Sequence, residues 1–200
     1  MKYKSFRRSA LAVLALASLA SSNAFANDYR EKGKATKIAS SAMTVTPPRD
    51  WNRLGIKPGK FAETWTLDGE QLNDVTFYGG VEPGRPLVRE RDKKREPLPK
   101  FTDSMLLIEI PELVQGTYRA YKQISKFEVI NTTPGTFLGK DGVHFTYQYL
   151  DADELPRKGE ARAVVVDKKL FMVTFDAPRL HYFDRTVDDF RALADAAKFK

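Results

Sequence analysis

Few side chains of this chain are suited to acid–base, nucleophilic or metal chemistry. Cysteine is absent, which excludes a thiol nucleophile, a thiolate metal ligand and any disulfide brace. The chain has two histidines, His144 and His181. His144 alternates with Val143, Phe145, Tyr147 and Tyr149, so a strand over this run turns it away from the aromatic face towards solvent. His181 has acidic neighbours, since Asp176, His181 and Asp184 fall within nine residues around Pro178. Imidazole beside carboxylates can hold a divalent cation or work as an acid–base pair. A metal-dependent hydrolase around Asp176, His181 and Asp184 is therefore one reading, but the spacing follows no metal signature and no metal ligand is assigned. No serine sits in a G-x-S-x-G elbow. Neither Gly79-Gly80 nor Gly139-Lys140-Asp141-Gly142 has the strand–glycine–helix order of a phosphate cradle. No catalytic residue and no cofactor follow from these patterns.

Charge is the stronger signal. The formal net charge is +7 over 200 residues. Four of those charges (Lys2, Lys4, Arg7, Arg8) precede residue 27, where no acid balances them. Four more are the excess of the segment Arg85–Lys100, in which Arg85, Arg89, Arg91, Lys93, Lys94, Arg95 and Lys100 outnumber Glu90, Asp92 and Glu96. The rest of the chain is close to neutral. A basic loop of this kind is the candidate binding surface, suited to the acidic face of a protein or to anionic headgroups. It contains no aromatic residue for stacking on bases, and export would remove nucleic acid as a partner.

Met1–Ala26 has the order of an export signal. A basic start leads into the apolar run Ala10–Ala20, and Ala24-Phe25-Ala26 supplies the small-x-small site for cleavage after Ala26. No cysteine follows, so lipid attachment is excluded. The expected destination is the periplasm or the exterior, and the mature protein is expected to be soluble.

These residues need a scaffold, and the hydrophobic periods give one. Asn27–Ser41 is polar and reads as a flexible leader, with a single domain over residues 42–200. Met43–Thr46, Lys60–Asp68 and Leu72–Val81 alternate as strands, the last two joined at Asp68-Gly69. Glu82–Lys100 is a charged, proline-punctuated loop. Ser104–Lys122 has helical spacing, with Pro111 in the first turn of its main part. Phe127–Thr133 and Thr136–Leu138 read as two extended pieces around Pro134-Gly135. They are followed by strands at Val143–Leu150, Glu160–Val166 and Lys169–Phe175. Thr186–Lys198 reads as a final helix with Thr186 as its N-cap. The expected fold is α+β: an antiparallel sheet of about six or seven strands covered by a mid-chain and a C-terminal helix. Trp51, Phe61, Trp65, Phe77, Tyr78, Phe145, Tyr147, Tyr149, Phe171 and Phe175 are expected mostly in its core, some lining a cleft between sheet and helix.

This order of elements resembles the PsbP-like α/β/α sandwich superfamily. The resemblance rests on an opening strand ending at Pro47-Pro48 and followed by Trp51, and on the hairpin carrying Trp65 and Phe77-Tyr78-Gly79-Gly80. The mid-chain helix and the run Leu170–Pro178 before a closing helix complete it. The chain is also similar to exported proteobacterial proteins of unknown function. Members of the superfamily act mostly as binding or assembly factors, which implies a non-catalytic role and an envelope protein as partner. A small-molecule or lipid carrier using an aromatic cleft is the alternative.

Overall fold

The computed structural model describes residues 27–200; the expected export signal, Met1–Ala26, lies outside them. In chain order the elements are β1 (Asp28–Arg30), β2 (Thr36–Lys37), β3 (Met43–Val45), β4 (Trp51–Arg53), β5 (Ala62–Thr66) and β6 (Asp74–Val81). A 3-10 turn (Leu107–Glu109) leads into α1 (Ile110–Tyr121), then β7 (Phe127–Phe137), β8 (Lys140–Leu150), β9 (Pro156–Val166) and β10 (Lys169–Pro178). The chain closes with α2 (Tyr182–Asp195) and β11 (Ala197–Phe199).

Eight strands form one sheet in the order β1-β4-β5-β6-β10-β9-β8-β7, with every neighbour antiparallel. The two-residue period decides what each face buries. In β10, Leu170 and Met172 join one core with Ile110, Leu113, Val114 and Tyr118 of α1. Phe171, Val173, Phe175 and Ala177 join the other with Phe183, Val187, Phe190 and Leu193 of α2. A small sheet, β11-β3-β2, lies with α2 on that second side, where Ile38, Met43 and Val45 are buried in the same core. The result is an α/β/α sandwich. α1 presents Ile110, Leu113, Val114, Thr117 and Tyr118 inward, the stripe its sequence spacing predicts, and Pro111 stands in its first turn. The β9–β10 hairpin turns through Asp167 and Lys168, both at positive φ (49° and 59°), the geometry that matches strand twist in a two-residue turn.

Four features differ from the sequence reading. The main sheet has eight strands, not six or seven. Two of the additional elements come from residues 27–41, expected as a flexible leader: β1 pairs with β4, β2 pairs with β3, and Ile38 is fully buried. Single apolar anchors in short strands leave no periodic trace. β7 runs straight through Pro134-Gly135. It is an edge strand, where a residue without an N–H removes no ladder bond. Finally, α2 begins at Tyr182, and Thr186 lies inside it with its hydroxyl donating to the Tyr182 carbonyl at 2.6 Å instead of capping. The helix stops at Asp195 because Ala197–Phe199 pairs with Val45–Met43.

Candidate functional site

β10 buries a single charged residue, Asp176, which is 2% exposed at the centre of the sheet. Even-numbered positions of this strand face α1, so the carboxylate points into the α1 side of the sandwich. There Asp176 Oδ2 accepts a hydrogen bond from the Tyr118 hydroxyl at 2.5 Å and lies 3.7 Å from Lys122 Nζ. Oδ1 is buried without a hydrogen-bond partner. Directly across the β6–β10 ladder stands Asp74.

Tyrosines surround the pair. Tyr147 and Tyr149 project from β8 on the same face, and the Tyr118 and Tyr147 hydroxyls lie 3.3 Å apart. Tyr118 meets both rings edge-on, at centroid separations of 5.8 and 5.6 Å. Lys122, the residue that ends α1, donates from Nζ to the Tyr149 hydroxyl at 3.1 Å. Its ammonium also lies 4.1 Å from the centre of the Tyr118 ring. A cation at this position also complements the negative end of the helix.

The electrostatics follow from burial and from Asp176. Burial pushes the Asp74 carboxyl up, Lys122 pulls it back, and the facing Asp176 adds to the rise, leaving it at about 6. Burial and then Asp176 hold the Tyr118 and Tyr147 hydroxyls well above their usual range and push Tyr149 up to about 12. For Lys122, burial opposes the charge, but Asp176 and Tyr149 override it and keep the ammonium protonated.

Beside this cluster is a cavity of about 310 Å³ between α1 and the sheet. Its polar wall includes Glu70, Asp74, Asp176, Thr76 and Lys122, and Tyr78, Tyr118 and Tyr121 are its aromatic lining residues. A second cavity of about 400 Å³ shares Glu70, Asp74, Tyr121 and Lys122 and is lined as well by Arg91 and Arg157. A larger one of about 790 Å³ lies at the opposite end of the sheet, by Gly79-Gly80 and the β9–β10 turn. Of its charged groups, Lys57, Lys60, Asp167 and Lys169 are exposed and Glu82 is half-buried, so it lacks the fully buried acid of the first.

The basic loop of the sequence reading is held to the body at both ends. Leu87, Val88, Leu98 and Phe101 are buried in the α1-side core, and Pro86 bridges to Lys100. Between these anchors Arg85, Arg89, Arg91, Lys93, Lys94, Arg95 and Lys100 are all exposed. Arg95 pairs with Asp92, and the Arg91 guanidinium stacks 4.7 Å from the centre of the Tyr121 ring. This contact brings the loop against the end of α1, next to the cavities. Among the described residues, the other five form no ion pair.

The triad Asp176, His181 and Asp184 is not assembled. Asp176 points towards α1, whereas His181 and Asp184 begin α2 on the opposite face, and no group of three metal-capable side chains occurs among the described residues. His144 does face away from the tyrosines, with Nε2 donating to the Thr136 carbonyl at 2.9 Å. Sequence reasoning passed over Asp74, Lys122 and Tyr118. The available signal was a lone acid in a mostly apolar strand, together with tyrosine in place of phenylalanine at positions 118, 147 and 149.

No protein-family description matches the sequence, and no curated protein does. Solved structures are similar in fold. Cyanobacterial PsbP (CyanoP) from Synechocystis sp. PCC 6803 superposes with a TM-score of 0.55 at 15% identity, covering 92% of this chain and 99% of that one. The Saccharomyces cerevisiae Ran-binding protein Mog1p gives 0.45 at 8% identity, over 84% and 96% of the two chains. LpqN of Mycobacterium tuberculosis, involved in cell envelope biogenesis, gives 0.37 at 9% identity, over 88% and 83%. The similarity to cyanobacterial PsbP establishes the PsbP-like sandwich as the fold.

Proposed function

We propose that this protein is an exported, periplasmic, non-catalytic binding factor, and that its partner is an envelope protein presenting an acidic surface. The observation that carries this reading is the loop Glu82–Lys100. Its buried anchors Leu87, Val88 and Leu98 fix a row of seven exposed basic side chains, six of them free of ion pairs among the described residues. Elsewhere the cations Arg30, Arg49, Arg53, Arg162, Arg185 and Arg191 are paired with acids. Unpaired cations on a fixed backbone raise the rate of encounter with an acidic partner and select against basic ones. Leu106 and Ile108, 61% and 69% exposed, follow the loop and offer the apolar contact that a protein interface needs and a purely electrostatic one lacks. Replacing Arg91, Lys93, Lys94 and Arg95 together with serine tests this. Capture of a crosslinked envelope partner from periplasmic extract should fall for the variant and fall with added salt for the parent. Equal capture by both removes the loop from the function.

A further inference from the structure

We propose that the cavity between α1 and the sheet, walled by Glu70, Asp74 and Asp176, binds a small organic cation bearing a primary ammonium or guanidinium group. The proposal concerns a different site from the basic loop and stands independently of it.

Three carboxylates line this cavity, and Lys122 is the one basic residue among its lining side chains. Lys122 is already committed: its ammonium donates to Tyr149, faces Asp176 Oδ2 and lies over the Tyr118 ring. Asp176 Oδ1 is left buried with no donor, in a residue 2% exposed. Native interiors rarely leave such an acceptor unpaired. A second carboxylate, Asp74, stands directly opposite across the ladder, and like charges at such positions repel. A cationic ligand with several N–H donors offsets that repulsion, whereas an anion adds to it. The aromatic lining suits the same chemistry, because Tyr78, Tyr118 and Tyr121 are among the residues that wall the cavity. The protein uses that preference within itself, stacking Arg91 on Tyr121 and Lys122 on Tyr118. A volume of about 310 Å³ is at the small end of ligand sites and suits a short aliphatic amine.

Calorimetric titration of agmatine and of spermidine into protein expressed from the full chain tests the proposal. Near pH 7.5, saturable one-site binding is expected, weakened about tenfold in Asp176→Asn and in Asp74→Asn. Asp74 is half-buried, so its variant keeps the test valid if Asp176→Asn fails to fold. A further arm needs no variant. Asp74 is faced by Asp176 from β10, Lys122 from α1, Arg157 from β9 and Glu70 from the preceding turn. With its carboxyl titrating at about 6, affinity should fall about tenfold between roughly pH 7.5 and pH 5. Three results would each overturn the proposal: no saturable heat with either amine up to about 10 mM, unchanged affinity in folded Asp74→Asn, or tighter binding of inorganic phosphate or manganese than of the amines.

Discussion

Asp74 and Asp176 are cross-strand partners on β6 and β10, the two central strands of the sheet, and both face α1. Placing two acids at the middle of a sandwich opposes folding unless each is compensated. Asp176 has Tyr118 and Lys122 within reach, whereas Asp74 accepts only long bonds from the Gln71 amide at 3.3 Å. The structure therefore tolerates an ionised Asp74 at the expense of stability.

That cost gives a pH dependence of definite sign. The Asp74 carboxyl titrates at about 6 in the folded protein against 3.8 ordinarily, so the folded state holds the extra proton. Its contribution is fully favourable below the unfolded value and is lost as pH rises through about 6. Asp74→Asn should remove this loss and stabilise the protein by about 2 kcal/mol near neutral pH, with little change near pH 4. Urea unfolding of both proteins at the two pH values measures it. Equal stability differences at both would contradict the assignment.

Gly159 and Tyr147 form a second dependent pair. They are directly opposite in the β8–β9 ladder, and a Cβ at 159 would overlap the Tyr147 ring. Gly159→Ala should displace that ring from Tyr118 and destabilise the protein by about 1–3 kcal/mol. Near-UV circular dichroism should report the tyrosine displacement in the same sample.

The scaffold was readable from the sequence where long periods reach the surface of an element. The stripe from Ile110 to Tyr118 and the alternation of Val143 to Tyr149 each describe a buried face. The shortest strands were not readable, because Asp28–Arg30 and Thr36–Lys37 are held by backbone pairing and contribute little apolar surface. Pro134 misled for a related reason: proline disrupts a central strand but not an edge, and edge position is a property of the finished sheet. For the site, the basic loop was visible as composition. The Asp74–Asp176 pair was not, since their adjacency depends on a strand order that places β10 beside β6.

The opposite core has its own test. Phe190 is fully buried and stacks on Phe175 at a centroid distance of 5.3 Å. Phe190→Ala should cost about 3–5 kcal/mol by opening a cavity under α2. The cavity under α1 lies across the sheet and should keep its ligand affinity in any fraction that remains folded.

The loop is predicted to resist proteolysis despite its density of trypsin sites. Leu98, 6% exposed, pins its C-terminal end. Leu98→Ser should free that end and raise the rate of tryptic cleavage at Arg91–Arg95 by about tenfold or more, through local opening that leaves the global melting temperature far less affected. Mass mapping of early fragments distinguishes this from general unfolding.

Site-specific photocrosslinking in the periplasm tests the central claim most directly. A photoreactive residue at position 94, in the basic loop, should yield a discrete adduct with an envelope protein. The same residue at position 133, on edge strand β7 at the far side of the sheet, should yield none. Adducts from position 133 with none from position 94 would contradict the account.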